Sequence, residues 1–154
     1  MLLDRIEVVT LFVDDIDEAK AFYQKVFAPQ SVYEDAVSSV LKFSGTMVNL
    51  LKVTEAPQLV EPSAVAAPGS GARTLLTIKV DDVDAVCVKL RKLGVTLLNG
   101  PIDRPWGRRT AAFADPSGHV WEVAQELHRA PDASQAFIAH GQEIPLYAPS
   151  AGLR

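Results

Sequence analysis

The stretch Val13-Asp14-Asp15-Ile16-Asp17 returns further along the chain as Val80-Asp81-Asp82-Val83-Asp84, 67 residues later (from 13 to 80). A self-match at such a distance is the mark of a duplicated supersecondary unit. Each copy is preceded by an apolar, β-branched run, Ile6 to Val13 and Leu75 to Val80, with the length and composition of a buried strand. Each copy also opens a helix. In the first, Ile16, Ala19, Phe22, Tyr23, Val26 and Phe27 fall at helical spacing, and Asp15 with Glu18 reads as a capping box. In the second, Val83, Val86, Cys87, Leu90 and Leu93 form the stripe, Asp82 caps the start and Gly94 ends it. The paired aspartates of each copy look like catalytic dyads, but capping accounts for them.

Three shorter apolar runs follow each helix. They are Ser31 to Asp35, Val37 to Phe43 and Thr46 to Val53 in the first half, and Val95 to Leu98, Arg108 to Ala114 and His119 to Glu126 in the second. Ser44-Gly45 and Asp115-Pro116-Ser117-Gly118 supply the last turns. Each half therefore reads strand, helix, strand, strand, strand. Gly45 and Gly118 are 73 residues apart, so the second copy carries about six extra residues, assigned to a loop from Asn99 to Gly107. The expected organisation is module one over residues 1–53, a linker over 54–73, module two over 74–127 and a C-terminal extension over 128–154. The linker, with Pro57, Pro62, Pro68, Gly69 and Gly71, reads as extended chain or as a flap over a site.

A chain of 154 residues, about half of them hydrophobic, can bury a core of ordinary domain size. No apolar run approaches the roughly 20 residues of a membrane span, and Met1-Leu2-Leu3-Asp4-Arg5 lacks the order of a signal peptide, so a cytoplasmic protein is expected. One cysteine, Cys87, cannot form an internal disulfide, and its place on a helical apolar stripe makes it a small core residue. A net charge of −4 without a basic run gives no footprint for nucleic acid or an anionic membrane. A small-molecule partner fits better.

The duplicated unit, the Val-x-Asp step before the Phe22-Tyr23 helix, and Asp115-Pro116-x-Gly118-x-x-x-Glu122 together resemble the vicinal-oxygen-chelate family of glyoxalases, bleomycin-resistance proteins and extradiol dioxygenases. The resemblance implies an α+β fold of tandem βαβββ modules, whose mixed sheets curl as an incomplete barrel around a U-shaped cavity with the helices outside. It also implies a homodimer. Metal-using relatives draw His or Glu ligands from the first and last strands of each half. The matching positions here are Val8, Asn49, Leu75 and Glu122, and three of the four depart from that pattern. Hydrocarbon has no lone pair to offer, and a neutral amide is a weak ligand. A one-residue register shift would turn Glu7 inward in place of Val8. No metal or other cofactor is expected.

Within the resemblance, four residues are candidates for a ligand site. Glu122 is a strand carboxylate whose face the sequence leaves open between solvent and cavity, and it is the one candidate for a catalytic base. Asn49, its repeat partner, offers a donor and an acceptor. Trp106, in Arg104-Pro105-Trp106-Gly107, offers a planar face held by a turn, suited to stacking on an aromatic ligand or to plugging a barrel end. Of Arg108 and Arg109, adjacent on a strand, one must face each way, and Arg108 can reach a ligand carboxylate or phosphate by its fork. His119, after a turn, is expected to face solvent, and His128 and His140 lie in or near the tail. These features suggest a metal-free protein that sequesters an aromatic or amphipathic antibiotic or metabolite, as in antibiotic resistance. The alternatives are a glyoxalase-like lyase, isomerase or dioxygenase with an atypical metal site or Glu122 as base, and a scaffold that only binds partners.

Overall fold

The computed structural model describes residues 3–127, so the extension over 128–154, with His128 and His140, lies outside the described residues. The element order is β1 (Val8–Val13), α1 (Ile16–Val26), β2 (Gln30–Glu34), β3 (Ser38–Phe43), β4 (Thr46–Lys52), α2 (Pro57–Val60), β5 (Leu75–Lys79), α3 (Val83–Lys92), β6 (Leu97–Arg104), β7 (Arg108–Ala114) and β8 (Val120–Glu126). The strands form two four-stranded sheets of matching order, β1-β4-β3-β2 and β5-β8-β7-β6. Both are open sheets. The expected βαβββ repeat is thus present twice, in an α+β fold.

The chain divides into two compact units, Met1–Leu75 with Ala114–Val120, and Leu76–Phe113 with the segment from Trp121. In the first, β1 runs parallel to β4 with Thr10 beside Asn49 and Leu11 beside Leu50, and β3 is antiparallel to β4 with Val40 beside Asn49. Neighbours across a sheet share a face, and successive residues alternate. Leu11, Val13, Leu41, Val48 and Leu50 accordingly bury together with Ile16, Ala19 and Tyr23 of α1. Tyr23 stacks on Phe27 at 5.6 Å, and Phe27 meets Phe43 edge-on at 5.5 Å. The opposite, open face of this sheet carries Val8, Thr10 and Asn49.

Both helices start as the repeated motif implies. Asp15 Oδ1 accepts the Glu18 N–H at 2.9 Å and Asp82 Oδ1 accepts that of Ala85 at 3.0 Å, each satisfying an orphan donor of the first turn in an interaction that typically contributes about 1 kcal/mol. Gly94, at φ +80°, ends the run after α3. After α1 the left-handed position is taken by Ala28 at φ +46°, which has no glycine to announce it.

The first unit also contains the Asp115–Gly118 turn. Asp115 is 5% exposed, and its carboxylate is fully engaged. Oδ1 accepts the N–H groups of Ser117 and His119, both at 2.9 Å, and Oδ2 accepts the Tyr23 hydroxyl at 2.7 Å. His119 departs from expectation. It is half-buried rather than solvated, with Nε2 2.7 Å from the Phe12 carbonyl, because a strand-end carbonyl needs a donor.

Two further differences concern the connections. The linker is not structureless: Val53–Glu55 forms a 3-10 turn, Pro57–Val60 a short helix with proline at its first turn, and Ala56 between them is fully buried. The extra residues of module two are not a loop over Asn99 to Gly107: about three lengthen β6, which runs continuously to Arg104 with shifts of register between Leu97 and Ile102 opposite β7, and the others fall in β7 and the Asp115–Gly118 turn. Gly100 makes this possible: at φ +90° a Cβ there would collide with the Thr110 carbonyl and lie 2.6 Å from Ala111 Cα.

Candidate functional site

In the second unit the faces of the sheet are fixed by what each side chain meets. Arg109 forms ion pairs with Asp103 at 2.6 Å and with Asp84 of α3 at 2.8 Å, so it lies on the helix side. These contacts, Asp103 first, raise the Arg109 guanidinium above its ordinary value, and Arg109 in turn holds Asp103 below its own. Gln125 accepts the Val83 N–H at the start of α3, and Trp121 and Val123 are buried, so the odd residues of β8 also face the helix. Cys87 of α3 lies in this core, where burial raises its thiol above the usual value. Alternation then places Arg108 and Glu122 on the opposite face, away from α3.

Arg108 is 3% exposed, a degree of burial uncommon for this residue type. Directly across from it on β6 stands Arg104, and Asn99 and Thr110 share the same face. Arg104 Nε donates to Thr110 Oγ1 at 2.9 Å and its Nη2 to Asn99 Oδ1 at 3.3 Å. Trp106 lies half-buried in the turn joining the two arginines, closed by the Gly107 N–H bonding the Arg104 carbonyl at 3.0 Å. Glu122 is half-buried and accepts the Thr77 hydroxyl at 3.0 Å. The pair has a counterpart in the first unit. Thr10 lies beside Asn49 on the open face of its sheet, and Thr10 and Thr77 are separated by the same 67 residues as the repeated motif. Asn49 Oδ1 is buried and has no hydrogen-bond partner among the described residues.

The structure thus puts Arg108 and Glu122 on one face, away from α3, with Trp106 at the end of the β6–β7 hairpin, and Asn49 on the face of the other sheet away from α1. Thr10, Thr77, Thr110 and Arg104 were not singled out from the sequence. The repeat offset alone pairs the first two. Arg104 is hidden because the Gly100-Pro101 step reads as the end of a strand.

The four positions at which metal-using proteins of this architecture carry ligands do not suit a divalent ion. Val8 and Leu75 are 37% and 51% exposed hydrocarbon, Asn49 is neutral, and Glu122 is the one carboxylate. Val8 shares its face with Thr10, opposite the buried Leu11 and Val13, so the register that would bring Glu7 in its place is not adopted. Among the described residues no three His, Cys, Asp or Glu side chains come together as a metal would require. No helix of the described residues is long and apolar enough to cross a membrane.

Repeated modules, two open sheets of matching strand order and the Asp-Pro-x-Gly strand define a class, and comparison with known proteins identifies it. The chain belongs to the Glyoxalase/Bleomycin resistance protein/Dioxygenase superfamily, whose family model matches residues 5–123. It is 30% identical over 123 residues to the uncharacterized protein YraH of Bacillus subtilis (strain 168), covering 77% of this chain and 96% of that one. Among solved structures, a glyoxalase/bleomycin resistance protein/dioxygenase from Nocardioides superposes with a TM-score of 0.75 at 20% identity, covering 84% of this chain and 88% of the other. At that identity the likeness speaks for the fold alone. TnmS3, an antibiotic binding protein from Streptomyces sp. CB03234, is 28% identical with a TM-score of 0.63, covering 82% and 98%.

Proposed function

We propose that this protein binds an aromatic or amphipathic small molecule, such as an antibiotic or a secondary metabolite, and acts by sequestering it without a metal. The observation that carries the reading is the chemistry of the open sheet faces. Hydrocarbon stands at Val8 and Leu75, where metal-using proteins of this architecture place ligands, and the polar groups beside it are few and directional. That combination is typical of ligand sites, in which apolar walls supply affinity and sparse polar groups fix orientation. Asn49 adds a buried acceptor with no partner among the described residues, a group whose desolvation an N–H or O–H of a ligand would offset. In the second unit, taken by itself, Glu122 positioned by Thr77 is an acceptor and Trp106 offers a stacking surface. The antibiotic-binding relative supports the same reading.

The test is a thermal-shift screen of aromatic antibiotics and metabolites with chelator present throughout. A ligand at one hundred times its Kd stabilises a protein by about 2.7 kcal/mol, which a melting curve resolves. At least one compound is expected to give a saturable shift that Asn49→Leu weakens. A flat response across a broad panel would refute sequestration.

A further inference from the structure

We infer that the junction of α3 with β6 is a second binding pocket, separate from the sheet faces described above. The ligand it fits is a small amphipathic carboxylate, with its anionic head against Arg91 and its apolar body on Val95 and Leu97.

The pocket is built within the second unit, between the end of α3 and the first half of β6, and offers about 510 Å³, a size usual for small-molecule sites. Two glycines shape it. Gly94 at φ +80° turns the chain out of the helix, and Gly100 at φ +90° lets β6 shift its register against β7. Neither has a side chain to fill the space, and a Cβ built on Gly94 would meet nothing within 4 Å. Arg91, Val95, Thr96 and Leu97 contribute to the rest of the lining. Val95 is buried and Leu97 half-buried, which gives the pocket an apolar floor, whereas Arg91 is exposed.

The charge pattern supplies the second argument. From Ala85 to Ile102 the chain carries three cations, Lys89, Arg91 and Lys92, and no acidic residue. The two acids that bracket this stretch, Asp84 and Asp103, are both held by Arg109, at 2.8 and 2.6 Å. Opposite this part of β6 stand Ala112 and Phe113, which are uncharged, and Glu122 lies on the sheet face away from α3. Arg91 accordingly makes no ion pair among the described residues. Cations in a last helical turn usually answer the orphan carbonyls and the helix dipole. Here the carbonyls of Lys89, Leu90 and Arg91 already accept the N–H groups of Leu93, Val95 and Gly94, at 3.0, 2.9 and 2.9 Å, so the guanidinium is not needed to cap them. An uncompensated planar fork in the wall of a partly apolar pocket receives a carboxylate by charge-assisted hydrogen bonds, while the floor covers the hydrocarbon of the same molecule.

The probes are hexanoate, hexanamide and acetate, titrated into isotopically labelled full-length protein and followed by two-dimensional amide spectra. Hexanoate should move the amide signals of Gly94, Val95, Thr96, Leu97 and Gly100 saturably in the millimolar range. Hexanamide, which lacks the charge, and acetate, which lacks the chain, should each bind about tenfold more weakly, and the advantage of hexanoate over hexanamide should shrink as ionic strength rises. Arg91→Gln keeps a good helix former at an exposed position, so the fold is retained, and it should lower hexanoate affinity about tenfold while leaving hexanamide within about twofold. Equal affinity for hexanoate and hexanamide, a preference retained in Arg91→Gln, or shifts confined to residues outside the pocket would each overturn the inference. Responses at Asn49, Trp106 or Glu122 report on the sheet faces instead, so this pocket and the proposed sequestration stand or fall separately.

Discussion

Replacing Tyr23 by phenylalanine removes one oxygen atom and tests how the Asp115–Gly118 turn is held. The hydroxyl donates to Asp115 Oδ2 at 2.7 Å, and both residues are buried, at 0% and 5% exposure. A hydrogen bond to a charged acceptor contributes about 1.5–3 kcal/mol net. Because Oδ1 keeps its two backbone donors from Ser117 and His119, the loss belongs in the lower half of that range, about 2 kcal/mol. The ring stays, so the stacking on Phe27 is preserved and the substitution isolates the hydroxyl. For a chain of this size a deficit of about 2 kcal/mol corresponds to a fall in Tm of about 4–8 °C. Urea unfolding, read from midpoint and slope, and thermal melting give independent estimates. A loss below about 0.5 kcal/mol by both would refute the claim that this bond anchors the turn.

Gly100→Ala should destabilise by more than about 2 kcal/mol, since the position combines a left-handed φ with a collision against β7, and a Cm unchanged in guanidinium would show that the bulge relaxes freely. Asp35 has its carboxyl lowered to about 2 from the ordinary 3.8, chiefly by the Tyr33 hydroxyl and then by the Val37 N–H and the Ser38 hydroxyl. A depressed carboxyl favours the folded state once ionised, so its contribution is complete above pH about 4 and is lost as pH falls toward 2. Asp35→Asn should flatten that part of the acid unfolding curve, and an unaltered curve would count against the assignment. Arg109→Ala, which removes an exposed charge network, should lower the urea midpoint only slightly, and less still in high salt, and a large, salt-insensitive drop would count against a solvent-screened network.

Much of this architecture can be read from the chain because the signals are local. The capping aspartates Asp15 and Asp82 sit where the helices start, since a side-chain oxygen can satisfy a first-turn N–H only from that position. The strands before and after them follow from β-branched runs bounded by turn residues. What escaped depends on partners distant in sequence. His119 is drawn to a carbonyl on β1, 107 residues away, which nothing in the local pattern announces. Gly100-Pro101 carries the punctuation of a turn, but with β7 alongside the strand continues through a bulge, and only then does Arg104 come to stand across from Arg108. The candidate site was legible in part for the same reason. Glu122 follows from the Asp115-Pro116-x-Gly118 resemblance and Asn49 from the repeat, whereas the side each faces is set by the burial of Leu11, Leu50, Trp121 and Val123.

The most direct measurement of the central claim is the metal content of protein purified without chelators, by inductively coupled plasma mass spectrometry, paired with ligand titration before and after chelation. Hydrocarbon at Val8 and Leu75 predicts far less than one equivalent of any divalent ion per chain and an affinity that chelation leaves unchanged. A stoichiometric zinc, nickel or iron whose removal abolishes binding would contradict the account.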